Sequence, residues 1–138
     1  MKRIPRSCSE LNKSISEDVV ISIQPKWVAK HNDGSKKAEL RKTSPAHIKE
    51  FPFKAFIYET KPGAGLVVAE ADCIDITITA DTEKAAKATA VPIDIAKKYL
   101  DGGDAHIWHF ENYKQYDKPL PITDFGLEKA PQSWCYAR

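Results

Sequence analysis

Between residues 66 and 79, "LVVAEADCIDITIT", the apolar residues change phase. Val67, Ala69, Ala71 and Cys73 fall on odd positions, and then Ile74, Ile76 and Ile78 fall on even ones. Successive side chains of a strand point to opposite faces, so a segment that keeps a period of two but swaps its inward parity carries a bulge or sharp bend near Cys73. Bends of this kind turn the corners of barrels. A chain built around one is steered away from a doubly wound sheet and toward a small sheet that curls on itself.

The other segments agree with that outline. "VVISIQ" at 19–24 places Val19, Ile21 and Ile23 on one face and Ser22 and Gln24 on the other, which predicts a strand. Pro25 suits the first position of a helix and Gly34 the position just past its end, so a short helix is predicted from Pro25 to Asp33, with Trp27, Val28 and His31 on neighbouring ridges. "KKAELRKT" at 36–43 alternates again, with Ala38 and Leu40 inward and Lys37, Glu39 and Arg41 on the other side. "FPFKAFIYET" at 51–60 is apolar on both faces, as in a strand buried on two sides, and "KPGAGL" at 61–66 reads as the following turn.

Asp81 caps a predicted helix over 82–90, and Pro92 opens a second that stops at Gly102–Gly103 and packs through Ile95, Ala96, Tyr99 and Leu100. Residues 105–117 are strand-like, "DKPLPITDF" is a Pro-stiffened loop, and "SWCYA" is a last short strand. The fold class expected is α+β, a mixed β-barrel with a short helix after the first strand and a helical segment before the C-terminal strands.

The 138 residues, 42% of them hydrophobic, suffice for one self-sufficient domain, expected over 19–138. Residues 1–18, "MKRIPRSCSELNKSISED", have no apolar period and read as a basic tail, mobile in solution. Net charge is only +2, which excludes a polybasic nucleic-acid coat or an acidic tail. Residues 1–49 nevertheless carry 11 basic and 5 acidic groups, against 10 and 14 in residues 50–138, so the first half holds the positive field. Cys8, Cys73 and Cys135 are odd in number and far apart, which fits neither a disulfide framework nor a zinc knuckle. With no apolar span or secretory signal, a reduced, cytoplasmic protein without membrane partners is expected.

The densest chemistry lies at 23–42, "IQPKWVAKHNDGSKKAELRK". Arg offers a planar fork to a base edge or phosphate, and Glu can accept from an exocyclic amine or pair with that Arg. The plainer alternative is a surface ion-pair ladder. Trp27, Tyr58, Trp108, Trp134 and Tyr136 sit on or beside strands, where rings stack bases or fill cores; Trp27, next to the basic segment, is the best candidate for stacking. His106 and His109 point to opposite faces of a strand and cannot share one ion, and no cofactor motif, nucleophile elbow or phosphate loop is present. Cys73 and Cys135 read as small buried apolar groups.

These residues resemble a known family. "VVISIQPKWVAKHNDGSKKAELRK", "FKAFIYET", "AHIWHFENYKQYDKPLPITDF" and "PQSWCYA" together are similar to small ASCH-domain proteins of the PUA-like superfamily, the type found in bacteria and phages. The likeness spans about residues 19–137, and its most specific elements are Gly34-x-Lys36-x-x-Glu39-x-Arg41 and the Pro131–Trp134 ending. It implies a PUA-like β-pseudobarrel with a cleft between the first helix and the strands. It also implies binding of RNA or a modified nucleobase, with single-stranded RNA or a nucleoside or nucleotide as partner and a role in RNA metabolism. Carried over residue by residue, Lys36, Glu39 and Arg41 become the cleft's polar groups, bordered by Lys26 and Trp27.

Some ASCH proteins remove the acetyl group of N4-acetylcytidine with a lysine, a threonine and a glutamate. Lys36 matches the lysine, Glu39 stands where the threonine belongs, and Glu83 is the only glutamate in the region of the third. An enzyme would then act through Lys36 and Glu39, as a nucleoside amidohydrolase or a ribonuclease with a water activated by Glu39. A protein-interaction module of a mobile element is the third alternative. His31–Asn32 stands where the family often has an apolar pair, which questions how the first helix packs.

Overall fold

The computed structural model describes residues 18–137. The expected tail therefore lies outside the described residues except for Asp18, and so does Cys8. The chain runs β1 (Val19–Ile23), α1 (Pro25–Asn32), β2 (Ala38–Arg41), β3 (Phe53–Glu59), β4 (Leu66–Thr79), α2 (Thr82–Thr89), α3 (Ile93–Leu100), β5 (Ala105–Leu120), a 3-10 turn at Ile122–Phe125, and β6 (Trp134–Tyr136). The six strands form one mixed sheet in the order β2-β5-β4-β3-β1-β6. Only β1 and β3 pair in parallel, an arrangement that needs a long crossover, here carrying α1 and β2.

Curvature comes from β4 and β5, of 14 and 16 residues, which pair with three register shifts. One shift falls between Cys73 and Asp75, where the sequence changes phase. Each extra residue bends the strand and raises its twist, and the sheet curls into a half-barrel. Its edges are joined by side chains. Arg41 of β2 donates to the Ser22 carbonyl of β1, and the Trp108 and Trp134 indoles both donate to Thr43, to its carbonyl at 3.2 Å and its hydroxyl at 2.9 Å. The gap they span is open to one side.

Two cores lie on either side of β2 and β5. Inside the curl, Ile21, Ile57, Ala71, Cys73, Trp108 and Phe110 pack with Val28 of α1. Behind it, Ala38, Leu40, Ala105 and Ile107 meet Ala85, Ala86, Ala96 and Leu100 of α2 and α3. The Asp81 carboxylate accepts from the Lys84 amide at 3.0 Å to start α2, and a left-handed Ala90 at φ 58° ends it.

Several expectations change in detail. β1 is buried on both faces, its Ser22 hydroxyl donating to the Pro131 carbonyl of the segment before β6 at 2.7 Å, whereas β3 exposes part of its second face at Lys54, Phe56 and Tyr58. After the bulge only Ile76 packs against the core, while Ile74 and Ile78 are exposed, since the end of β4 runs past the main core. Ile95 is 41% exposed and leaves the α3 packing face to Ala96, Leu100 and part of Tyr99. β5 extends to Leu120, into the segment expected to be loop.

Trp108 is fully buried, edge-on to Phe53 and Trp134 at ring distances of 5.9 and 5.8 Å. A Trp108→Ala variant is expected to lose about 3–5 kcal/mol in denaturant unfolding, as large core truncations do. Ile78→Ser, at a 57% exposed site, should stay within about 0.5 kcal/mol of wild type.

Candidate ligand-binding cleft

The loop after α1 fixes the key lysine. The Asp33 carboxylate accepts from the Ser35 amide at 2.8 Å, Gly34 takes φ 83°, and the Lys36 amide bonds back to the Lys30 carbonyl at 3.1 Å. This tight return needs the left-handed conformation that glycine adopts without strain. It delivers Lys36 to the start of β2, where alternation sends Ala38 and Leu40 to the helices and Glu39 and Arg41 into the gap between the sheet edges. Lys37 is exposed and does not join them.

Glu39 lies at the centre, with its side chain only 3% exposed. Its Oε1 is 2.9 Å from His31 Nε2 and 3.7 Å from Lys36 Nζ, and its Oε2 accepts from Arg41 at 2.9 Å. Burial pushes its carboxyl up, but Arg41, the His31 hydrogen bond and Lys36 outweigh that and hold it at about 2. The Lys36 ammonium also donates to the Thr89 carbonyl at the end of α2 and lies 5.1 Å from the Trp27 ring centroid. Burial lowers its pKa; Glu39 opposes that shift and Arg41 adds to it. Arg41 donates to Glu39, to its neighbour's carbonyl and to Ser22, so its guanidinium closes the floor of the gap.

Above this floor opens a cleft of about 760 Å³. All five residues singled out by sequence line it: Lys26, Trp27, Lys36, Glu39 and Arg41. Lys42 is the other charged side chain on its lining, giving four basic groups and one carboxylate. Its second wall is apolar, built by Val91, Ile95 and Tyr99 from the α2–α3 region. The sequence carries no sign of that wall, because how α3 faces the cleft is a tertiary fact; Ile95 and Tyr99 read there as part of the packing face of α3.

His31 was also missed as a member. It is 4% exposed, stacked on Tyr113 at 5.4 Å and 11°, while Tyr113 donates to Asn32 at 2.9 Å. The polar pair at 31–32 thus packs α1 through Glu39 and Tyr113 instead of through apolar contacts. Glu83, by contrast, is exposed in the first turn of α2 and does not line the cleft. Trp108 belongs to the core, which removes it as a stacking platform. His106 pairs with Ser44 and His109 with Thr77, and burial pushes the Cys73 thiol up to about 12. Among the described residues no cluster of three or more His, Cys, Asp or Glu suits a metal ion, and no helix is long and apolar enough to cross a membrane.

The depressed Glu39 carboxyl makes stability pH-dependent. Its contribution is complete above the ordinary value of 4.5 and is lost as pH falls through about 2. Glu39→Gln should cost about 3 kcal/mol or more at neutral pH by leaving Arg41 and Lys36 uncompensated. The gap between variant and wild type, read from denaturant midpoints, should narrow as pH falls from 4.5 toward 2. A gap independent of pH would contradict the charge assignment.

No family model and no curated protein matches the sequence. Solved structures do. The chain is similar to the crystal structure of ASCH from Zymomonas mobilis, with a TM-score of 0.74 and 19% identity over 88% of this chain and 87% of that one. Two single-residue variants of the Zymomonas mobilis protein superpose with a TM-score of 0.73 at 18% identity, each covering 88% of this chain and 90% or 88% of its own. The chain thus has the fold of that ASCH protein over most of its length.

Proposed function

We propose that this protein binds RNA, or a modified nucleobase within it, in the cleft between α1, β2 and the α2–α3 wall. The observation that carries the reading is the pairing of charge and aromatic surface in one concave site. A floor of Lys36, Glu39 and Arg41 is flanked by the half-buried Trp27 ring and the Tyr99 wall. An anionic, planar ligand satisfies all of these at once: the ring stacks, and the surplus of positive charge meets phosphate. Glu39 Oε2 retains acceptor capacity beyond its bond to Arg41, so an exocyclic amine or ring N–H can complete it. Lys36 can donate to a base carbonyl beside it. Arg41 serves this site mainly by holding Glu39 and the Ser22 carbonyl of β1 through its two terminal nitrogens, while its Nε is buried without a hydrogen-bond partner among the described residues.

One observation favours a second reading, that of a hydrolase. A lysine whose pKa is lowered by burial at the bottom of a cleft is a better proton acceptor than an exposed one. Glu39, held at about 2, is a poor base, so a water-activating step would fall to Lys36. Incubation with N4-acetylcytidine and with labelled single-stranded RNA, followed by chromatography, separates the readings. Intact substrates that nevertheless bind support the binding module, and turnover abolished by Lys36→Met supports the hydrolase.

Calorimetric titration of short single-stranded RNA tests the binding reading itself. Trp27→Leu should weaken binding by about 1–3 kcal/mol, the range for a lost base–ring stack. Wild type and variant binding equally, or neither binding, would remove the cleft assignment.

A further inference from the structure

The charges of the cleft divide into two sets. Those of the floor are ion-paired: Lys36 and Arg41 both face the one carboxylate of Glu39. Those of the mouth are not. Lys26 and Lys42 are exposed and line the cleft, and among the described residues neither forms an ion pair with a carboxylate. Lys54 on the outer face of the sheet, by contrast, is tied to Glu70 and Asp72, each at 3.1 Å.

Each mouth lysine is instead held by a ring. Lys26 Nζ lies 4.9 Å from the centroid of Trp27, on α1, and Lys42 Nζ lies 5.0 Å from that of Tyr99, on α3. A ring positions an ammonium through its quadrupole without cancelling its charge, so that charge stays available to an anion. The two rings belong to different walls, with Lys36 between them, reaching Trp27 on one side and the end of α2 on the other. The cleft thus has two separate cation sites without a carboxylate partner at its mouth and an ion-paired polar floor below.

We propose that the cleft takes an internal nucleotide of a single-stranded RNA, the base entering between the walls while Lys26 and Lys42 each hold one of the two phosphates that flank it. This rests on the cleft-binding reading above and narrows it. A free nucleoside offers neither phosphate, a nucleoside 5′-diphosphate offers both on one side of the sugar, and a nucleotide within a chain places one on each side. Trp27 and Tyr99 then have a double role, stacking or walling the base and aiming the lysines.

The test compares a nucleoside, its 5′-diphosphate and a trinucleotide centred on the same base, in calorimetric titrations over a range of salt concentrations. The trinucleotide should bind at least about tenfold more tightly than either smaller ligand, as expected for phosphate contacts added on both sides. Lys26→Ala and Lys42→Ala should each weaken the trinucleotide and reduce the slope of log affinity against log salt by about 0.7. Both side chains are exposed, so the variants should fold, and Lys118→Ala, exposed on β5 away from the cleft lining, should leave slope and affinity unchanged. Equal binding of nucleoside and trinucleotide, equal binding of diphosphate and trinucleotide, or slopes unchanged in both lysine variants would overturn the flanking-phosphate proposal while leaving a base-binding cleft in place. Absence of binding by all three ligands would overturn both.

Discussion

A carboxylate with its side chain 3% exposed is costly to bury unless cations and hydrogen bonds replace its water, and around Glu39 they do so from three parts of the chain. His31 arrives from α1, Lys36 from the loop that follows, and Arg41 from the same strand two residues on. Arg41 then reaches Ser22 of β1, and Lys36 reaches the end of α2. One buried charge thereby ties the β2 edge, β1 and both helical regions to a single point. The edges meet through these side chains and the Thr43 contacts instead of through a backbone ladder, so the gap keeps room for a ligand.

The same arrangement sets the character of the cleft. Ions that hold the fold together are paired with one another through Glu39, while Arg41 Nε is buried without a hydrogen-bond partner among the described residues. In the proposed function, recognition would use the remaining acceptor on Glu39, the Lys36 ammonium and the rings beside it. A fully apolar junction would close the edges without providing any of these groups. The stability of such a network is usually modest compared with well-packed apolar residues, so its presence fits a role in specificity.

Much of this was legible in the sequence, for reasons that can be named. The phase change at Cys73 appears as a register shift, because parity along a strand is a local property that a bulge must disturb. The Gly34 turn and the alternation of Glu39 and Arg41 are local as well, whereas alternation also points to Lys37, which is exposed, and Lys36 joins the floor from the loop ahead of the strand. What lay hidden depends on contacts between distant segments. The wall of Val91, Ile95 and Tyr99 becomes a wall only when α3 faces α1, and His31 reads as an oddly polar helix residue until Glu39 comes within 2.9 Å of it. Likewise β1 and β3 exchange their expected burial because contacts such as that of Ser22 with Pro131, 109 residues on, are not written in either strand.

The central claim is that RNA is recognised in the cleft built over Glu39. Amide and indole chemical-shift mapping by NMR, with a short single-stranded RNA titrated into the labelled protein, tests it most directly. The account expects the largest shifts at the Trp27 indole and the amides of Lys26, Lys36 and Arg41, extending to Ile95 and Tyr99 on the far wall. Shifts centred instead on the outer sheet face around Lys54, Glu70 and Tyr116, with the Trp27 indole unmoved, would contradict it.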